Sequence, residues 1–331
     1  MPAASAERFS LEHLPVAPDD FAASVRAGLT APRKQLEPRF FYDALGSALF
    51  DAICELPEYY VTRAETEILT LHAPDIAAAF GSPVRLVELG SGSARKTRLL
   101  FDAILDRQRT LDYAPVDVDA GMLEKSGQAL LTEYDRLRVS ALRGDFREPS
   151  RALAALPSSR ERTVVLFLGS SIGNLDPSEA VAMLRNLRGA MRKGDALFLG
   201  VDLRKAKEIL EPAYDDALGV TAAFNLNLLA RINRELGGDF ALHRFAHRAF
   251  YFEALGRIEM HLVSRGRQTV RVQDYEVTFE DAETIHTENS WKYDEESLAT
   301  LAEEAGFTME RRWTDSRGWF ADVLMTIAAA P

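Results

Sequence analysis

The stretch VRLVELGSGSARKTRLL, from Val84 to Leu100, decides the fold that this sequence predicts. Its first residues form the apolar run of a buried strand, and one acid, Glu88, stands inside that run. The turn Gly90-Ser91-Gly92 follows, and a segment with basic residues then predicts the start of a helix. Glycines let backbone N–H groups approach a ligand closely, and the next helix adds the positive end of its dipole. The stretch therefore predicts a strand–turn–helix unit with a ligand at its turn, and a tight turn without a ligand is the alternative.

The glycine turn lacks one residue of the dinucleotide-binding fingerprint. Residues 90–95 are Gly-Ser-Gly-Ser-Ala-Arg, so the third glycine of that fingerprint is absent. Its absence weakens the hypothesis of a nicotinamide-dependent dehydrogenase. An acid-x-Gly-x-Gly turn without the third glycine resembles the first loop of S-adenosylmethionine-dependent methyltransferases.

Further apolar runs alternate with helical segments, which is typical of a parallel sheet with helices on both faces. These runs are Tyr113–Val118, Leu137–Asp145, Arg162–Leu168 and Asp195–Leu203. Near the end of the chain, Asp294–Ala305 predicts a helix, and Phe307–Thr314 and Trp319–Ala328 predict two paired strands. The expected fold is α/β, a doubly wound Rossmann-like methyltransferase sheet with an antiparallel final strand.

Polar residues follow several of these strands, at the edge where open α/β sheets bind ligands. Asp117 ends the second run and can accept hydrogen bonds from ribose hydroxyls. Asp145 and Phe146 follow the third run and could bind adenine by hydrogen bonding and stacking, with a simple turn aspartate as the alternative. Asn174 lies in the loop after the most apolar run, where we favour a functional role over a turn role.

The alternation stops between residues 205 and 293. Ala213–Leu236 predicts a helix, and Ala249–Thr278 has strand character with a turn at Arg265-Gly266-Arg267 that predicts a β-hairpin. We therefore expect two domains. Residues 69–204 and 294–331 would form the cofactor-binding sheet, and residues 1–68 and 205–293 would form an α+β lid over its carboxyl edge that binds the substrate.

Aromatic residues are concentrated between Pro38 and Leu69. Part of this segment has helical spacing of apolar residues, so burial in the core explains many of them. Leu56-Pro57-Glu58 interrupts the helical pattern and leaves Tyr59 and Tyr60 on an irregular connection. Tyrosines there are better placed for ligand contact than tyrosines on a helix face, so both interpretations remain open.

Composition narrows the possible partners. The 331 residues carry a net charge of −11, which disfavours nucleic acid and anionic membranes. The sequence shows no signal peptide and no apolar stretch of about 18 residues that would predict a transmembrane helix. The single cysteine, Cys54, excludes an internal disulfide, and we expect a cytoplasmic monomer. His243 and His247 lack a nearby acid or cysteine that would complete a zinc-like set, so we expect no metal.

Nearly the whole chain resembles the histidine Nα-methyltransferases of ergothioneine biosynthesis. The resemblance rests on FYDALGSALF, LPEYYVTRAE, VELGSGSARKTRLL, PVDVDA, GDF, FLGSSIGNL, AYDDALGVTAAFNLNLL, RIEMHLVS and IHTENSWKY. The chain departs from the family pattern at Val61, where a proline is expected. The resemblance implies a methyltransferase sheet and a second, substrate-binding domain.

The resemblance also implies roles for individual residues. The positions that match cofactor-binding residues are Gly90, Lys96, Asp117, Asp145 and Phe146. The positions that match residues around the α-amino and carboxylate groups of histidine are Tyr59, Asn174 and Tyr214, with Tyr42 and Phe50 as aromatic neighbours of the amine. Tyr59 and Tyr42 are the catalytic candidates that follow from this match.

Glu288 and Ser290 match the pair that holds the imidazole in the family. They are two residues apart, so in an extended segment their side chains point to one face. A carboxylate accepts a hydrogen bond from an imidazole N–H, and a hydroxyl can donate to the other ring nitrogen. A surface strand with two polar residues is the alternative.

The reaction implied is transfer of methyl groups from S-adenosyl-L-methionine to the α-amine of L-histidine, three times, to give Nα,Nα,Nα-trimethyl-L-histidine (hercynine) and S-adenosyl-L-homocysteine. Two alternatives remain. The same fold could methylate the amine of another small molecule, or it could serve as a non-catalytic binding subunit.

Overall fold

A computed structural model describes residues 8–14 and 21–328, and these form two compact units. In the described part of the chain, the first unit comprises residues 8–14, Ala64–Leu203 and 293–328. The second comprises residues 21–63 and Arg204–Lys292. Of the helices in these residues, none combines the length and the hydropathy that a membrane span requires.

The strands and helices are numbered in chain order. The strands are β1 (Phe9–His13), β2 (Val84–Leu89), β3 (Leu111–Asp117), β4 (Leu137–Arg143), β5 (Arg162–Phe167), β6 (Ala196–Asp202), β7 (Phe245–Phe252), β8 (Arg257–Ser264), β9 (Gln268–Val272), β10 (Tyr275–Phe279), β11 (Thr284–Trp291), β12 (Phe307–Thr314) and β13 (Phe320–Ile327). The α-helices are α1 (Phe21–Thr30), α2 (Ala44–Cys54), α3 (Tyr60–Phe80), α4 (Arg98–Leu105), α5 (Ala120–Glu133), α6 (Pro149–Ala155), α7 (Pro177–Ala190), α8 (Lys207–Leu210), α9 (Val220–Leu236) and α10 (Glu295–Ala305).

The first unit contains an eight-stranded sheet with the order β1-β4-β3-β2-β5-β6-β13-β12. Strands β1 to β6 run parallel, whereas β13 is antiparallel to β6 and β12 is antiparallel to β13. Every residue of β6 is buried, as expected of a central strand with both faces covered. The predicted doubly wound sheet with an antiparallel end is confirmed.

The parallel strands place the loops that follow them at one edge of this sheet. Gly90 follows β2, Asp117 ends β3, the segment 144–146 follows β4, and the segment 169–174 follows β5. Each of these segments contains a residue that the sequence singled out. The first unit therefore gathers the predicted cofactor-binding positions at the carboxyl edge of its sheet.

The N-terminal strand β1 lies in the first unit, although the sequence placed residues 1–68 in the second. It pairs with the edge strand β4, from Phe9 opposite Val139 to His13 opposite Arg143. The Phe9 ring occupies space over α5 at Gly127, where a Cβ atom would stand 2.4 Å from it. A strand of five residues with only two apolar side chains, Phe9 and Leu11, is too short to be recognised without such long-range contacts.

The second unit contains a three-stranded antiparallel sheet, β11-β8-β7, and a separate two-stranded sheet, β10-β9. The sequence predicted a hairpin across the turn Arg265–Arg267, and this prediction is wrong: β8 and β9 lie in different sheets. β9 pairs instead with β10 across the two-residue turn Gln273-Asp274, where Gln273 has a positive φ of 52°. A tight turn with left-handed backbone matches the twist of a hairpin, so this later turn makes the pairing.

Candidate functional site

The glycine turn of the first unit has the backbone conformation that requires glycine. Gly90 has a φ of 68° and Gly92 a φ of 49°, both in the left-handed region. The Gly90 N–H donates to the carbonyl oxygen of Val116 at 2.8 Å, which ties the turn to the end of β3. A Cβ atom on Gly90 would stand 3.8 Å from Cδ1 of Phe146. The turn therefore lies between the end of β3 and the Phe146 ring.

Asp117 lies beside this turn at the end of β3. Its carboxylate accepts hydrogen bonds from the backbone N–H of Gly92 at 2.9 Å and of Asp119 at 3.1 Å. Burial raises the pKa of this carboxyl, and the two N–H donors partly oppose that effect. A carboxylate can accept about four hydrogen bonds, so Asp117 retains capacity for ligand hydroxyls.

Glu88, the acid inside the strand run, has a structural position. It accepts hydrogen bonds from Thr97 Oγ1 at 2.6 Å and from the hydroxyl of Tyr113. Burial raises the pKa of this carboxyl to about 7, although both hydroxyl donors lower it. Glu88 thereby ties β2 to β3 and to the residue that precedes α4, and so holds both ends of the glycine loop.

Lys96 forms an ion pair with Glu65, which sequence analysis did not identify. Burial lowers the pKa of Lys96, but the charge of Glu65 outweighs this and the net effect is a raised pKa. Both oxygens of Glu65 also accept from the Gly169 N–H, at 2.8 and 3.0 Å. Glu65 is fully buried and joins two segments of the carboxyl edge. Nothing in its surroundings in the sequence distinguishes it from the other charged residues of α3.

Asp145 and Asn174 belong to the same edge of the sheet. Arg147 donates to the Asp145 carboxylate from Nη2 at 2.5 Å and from Nε at 2.9 Å, so a side chain of the protein already occupies that acceptor. Asn174 ends the short 3₁₀ helix Ser171–Asn174 that follows β5. The structure thus brings Gly90, Asp117 and Phe146 into one cluster, with Asp145 next to it in the chain.

The second unit contains a cluster of aromatic rings. The ring centroid of Phe50 lies 5.7 Å from that of Tyr42 and 6.2 Å from that of Tyr59. The ring centroids of Tyr59 and Tyr214 are 6.2 Å apart. Phe224 on α9 completes the cluster, 5.8 Å from Tyr42 and 6.1 Å from Phe50. The four aromatic residues that match the family's substrate positions, Tyr42, Phe50, Tyr59 and Tyr214, thus lie together. Phe224 was not identified, because in the sequence it is one more apolar residue on a helix.

A β-bulge in β11 determines which side chains of this strand are buried. His286 pairs with His261 and Glu288 pairs with Met260, so Thr287 is an extra residue in the ladder. Its hydroxyl donates to the Met260 carbonyl oxygen at 3.0 Å. His286 and Glu288 therefore lie on opposite faces although they are two residues apart. Glu288 faces inward and is only 7% exposed.

Ser290 and Lys292 follow Glu288 on the same buried face, and this arrangement confirms that Glu288 and Ser290 share a face. The Ser290 and Tyr214 oxygens are 2.8 Å apart. Lys292 Nζ donates to both, at 2.8 Å to Tyr214 and 2.9 Å to Ser290. Burial raises the pKa of Glu288 to about 7, and the charge of Lys292 opposes this. Sequence analysis did not identify Lys292, although its place two residues after Ser290 was the available signal.

His247 supports the backbone of this site. The amide nitrogen of Asn225 donates to His247 Nδ1 at 2.9 Å, so the ring proton is on Nε2, which donates to the Tyr214 carbonyl oxygen at 2.8 Å. Burial lowers the pKa of this imidazole, which favours the neutral ring. His247 therefore acts as a hydrogen-bonding residue that fixes Tyr214.

Glu259, His261 and His286 form a further polar cluster, with donor atoms within 4.8 Å of one another. His261 Nε2 bonds to Glu259 at 2.9 Å, and His286 Nε2 bonds to Asn289 Oδ1 at 2.9 Å. Arg257 Nε also donates to Glu259, at 2.9 Å. These contacts occupy Glu259 and the Nε2 atoms of both histidines, whereas His261 Nδ1 is buried without a hydrogen-bond partner among the described residues. The absence of a metal stays a prediction.

The chain matches one family of known proteins over most of its length. A family model described as histidine-specific, S-adenosylmethionine-dependent methyltransferase matches residues 21–327. The chain is 48% identical over 298 residues to the histidine N-alpha-methyltransferase of Mycolicibacterium smegmatis, which covers 89% of this chain and 91% of that protein. Identity to the histidine N-alpha-methyltransferase of Mycobacterium tuberculosis is 45% with the same coverage. Ergothioneine biosynthesis protein 1 of Schizosaccharomyces pombe is 30% identical, over 89% of this chain and 39% of that protein. The chain belongs to the family of S-adenosylmethionine-dependent, histidine-specific methyltransferases.

Proposed function

We propose that this protein methylates the α-amine of L-histidine three times with S-adenosyl-L-methionine and releases hercynine, as a step of ergothioneine biosynthesis. The names of the bacterial relatives and of the fungal protein support this substrate and pathway. In this proposal the first unit binds the cofactor and the second unit binds the amino acid. The protein acts as a monomer and without nucleic acid, in keeping with its net charge of −11.

The carboxyl edge of the first unit fits the cofactor. Gly90 and Gly92 leave room for close backbone approach, and Phe146 offers a ring beside the turn. Asp117 has acceptor capacity for ribose hydroxyls, and Ser91 Oγ in the turn is buried without a hydrogen-bond partner among the described residues. When bound, S-adenosylmethionine supplies a methyl group activated by its sulfonium charge.

The buried pair Glu288 and Ser290 is the observation that carries the proposed substrate. Both side chains are almost entirely buried on one face of β11. The Glu288 carboxylate accepts a hydrogen bond from an imidazole N–H, and the Ser290 hydroxyl donates one to the second ring nitrogen. An apolar side chain would leave the carboxyl buried without a ligand partner, which is costly. The site thus favours histidine over phenylalanine or leucine.

Tyr59 positions the amine in this mechanism and does not act as a strong base. Burial raises the pKa of its phenol well above the ordinary range, and neighbouring Tyr214 and Tyr42 raise it further. The phenol is therefore neutral at physiological pH and accepts a hydrogen bond from the amine. The attacking amine must itself be neutral, and water removes its proton. The rings of Tyr42 and Phe50 then tolerate the permanent cation of the product.

Mass spectrometry of the reaction products tests the proposal. The protein, S-adenosylmethionine and L-histidine should give a product with three added methyl groups, all on the α-nitrogen by fragmentation. L-Phenylalanine is the matched control and should gain none at equal concentration. Methylation of a different amine in preference to histidine would favour the alternative substrate, and no transfer to any amine would favour a non-catalytic subunit.

A further inference from the structure

The buried face of β11 and of the residue after it carries a carboxyl, a hydroxyl and an ammonium group in succession. Glu288, Ser290 and Lys292 occupy positions where a strand normally buries apolar side chains, and they are 7%, 3% and 2% exposed. A buried ammonium is costly unless hydrogen bonds and charge partners compensate it. The burial of Lys292 therefore implies a role for it.

We propose that Lys292 is a positioning residue of the amino-acid site, which orders the hydroxyls of Tyr214 and Ser290 and balances the charge of Glu288, so that the site takes a neutral imidazole and not an imidazolium. This inference rests on the proposed function, because it assumes that histidine is the ligand of these residues.

The first step concerns the hydroxyl protons. An ammonium group only donates, so Tyr214 and Ser290 both accept from Lys292, at 2.8 and 2.9 Å. Their oxygens are also 2.8 Å apart, and one of the two hydroxyls must donate to the other. At most one of the two hydroxyl protons then points to a third acceptor. Lys292 thereby makes one hydroxyl of the pair a directed donor.

The second step concerns charge. The carboxylate of Glu288 and the ammonium of Lys292 have opposite charges that cancel. The site therefore has no net charge when it holds a neutral imidazole. Without the ammonium, the buried carboxylate would need a proton, either on itself or brought by an imidazolium. In both cases the complex would hold one more proton, so binding would weaken as the pH rises above the pKa of the unbound carboxyl.

Other groups near the pair limit which of them can titrate. Burial raises the pKa of the Tyr59 phenol, and the charge of Glu288 raises it further, so this phenol stays neutral. The Tyr214 ring lies under Lys292 Nζ, with 4.5 Å between Nζ and the ring centroid. His247 contacts the Tyr214 carbonyl, and burial lowers the pKa of its imidazole. Arg204 Nε donates to the Lys292 carbonyl oxygen at 3.4 Å.

The test uses Lys292→Met and a matched control, Lys205→Met. Lys205 Nζ donates to the Tyr60 hydroxyl at 2.8 Å and lies 4.5 Å from that ring centroid, the same geometry as Lys292 on Tyr214. Calorimetry measures the Kd of L-histidine in the presence of S-adenosylhomocysteine, and kinetics give KM and kcat, from pH 6 to pH 9. Circular dichroism and the Kd of S-adenosylhomocysteine report whether each variant is folded.

We expect Lys292→Met to raise the Kd and KM of histidine by at least about tenfold at pH 8, the loss of one charged hydrogen-bond donor. The ratio of the Kd of Lys292→Met to that of wild type should increase from pH 6 to pH 9. Lys205→Met should match wild type at every pH. Glu288→Gln combined with Lys292→Met removes both charges, so its ratio should not increase above pH 8, where Glu288 of the wild type is ionised.

A pH-independent ratio for Lys292→Met, or an unchanged Kd, would overturn the inference. If Lys292→Met does not fold, Lys292→Arg provides the test, because it should keep the wild-type pH dependence. A wild-type protein that binds histidine but does not methylate it would overturn the proposed function and leave the binding comparison valid. A wild-type protein that does not bind histidine would overturn both.

Discussion

In the proposed function, Glu288 is the residue that sets the specificity of the amino-acid site. Its carboxyl is buried on the inner face of β11, where the charge of Lys292 acts on it. Glu288→Ala should lower kcat/KM for histidine by a factor that corresponds to about 2–4 kcal/mol of lost transition-state stabilisation, as expected for loss of a charged hydrogen bond. The preference over phenylalanine should shrink as well, because no buried carboxylate is then left without an imidazole partner. Steady-state kinetics with both amino acids in competition measure these effects.

Glu259→Ala is the control for this change, since Glu259 lies on the neighbouring strand β8 and bonds to Arg257 and His261. It should keep the wild-type preference. The affinity for the cofactor should stay the same in both variants. A Glu288→Ala protein that still prefers histidine as strongly as wild type would contradict the assignment.

Asp117 carries the corresponding prediction for the cofactor. Asp117→Ala should weaken binding of S-adenosylhomocysteine by about 1–3 kcal/mol, because it removes a buried acceptor and leaves the Gly92 N–H unpaired. Isothermal calorimetry measures the change. Asp112→Ala is the control at the other end of the same strand, where the carboxylate is exposed and pairs with Arg138. Equal affinities in the two variants would rule out the ribose role.

At the scale of the element, the bulge in β11 decides which residues reach the site. Deleting Thr287 makes the His286 and Glu288 pairs consecutive, so Glu288, Ser290 and Lys292 keep their face. Deleting Asn289 instead turns Ser290 and Lys292 outward. We expect histidine binding to survive the first deletion, with a loss of stability of about 1–3 kcal/mol, and to disappear in the second.

Calorimetry with histidine and with S-adenosylhomocysteine compares the two deletions, which both shorten the chain by one residue. Cofactor binding in both proteins shows that the first unit is folded. Retention of histidine binding after deletion of Asn289 would mean that the face of β11 does not set the site.

At the scale of the whole molecule, buried carboxyls make stability depend on pH. Glu288 has a pKa of about 7 in the folded protein and 4.5 as an unperturbed group, so the folded state holds its proton more tightly. The free energy of unfolding therefore falls as the pH rises from 4.5 to 7. Each unit of difference between the two pKa values corresponds to about 1.4 kcal/mol, so the decrease is up to about 3 kcal/mol. Glu88 contributes in the same direction, since burial raises its pKa to about 7 as well.

Glu288→Gln should reduce the loss of stability with rising pH, because an amide has no charge to bury. The difference in thermal midpoint between the variant and wild type should shift in favour of the variant between pH 5 and pH 8, measured without ligands. Glu259→Gln, in which the replaced carboxyl has a lowered pKa, should not show this shift. A difference that is constant across the pH range would contradict a raised pKa for Glu288.

The sequence by itself determined what depends on neighbouring residues. The apolar run and glycines of residues 84–92 specify a strand and a turn that only glycine adopts easily, and Asp117 ends a strand that must run parallel to the first. Glu288 and Ser290 share a face because side chains of a strand alternate with period two. The fold class, the cofactor edge and this pair are consequences of such local rules.

Only the tertiary structure decided what depends on distant partners. The bulge at Thr287 reverses the alternation between His286 and Glu288, and the pairing with β8 produces it. Lys292 is buried because Tyr214 and Ser290 accept its hydrogen bonds, and Glu65 is buried because Lys96 and the Gly169 N–H compensate it. A charged residue in a sequence is expected at the surface until partners far along the chain are known, since those partners alone make its burial possible.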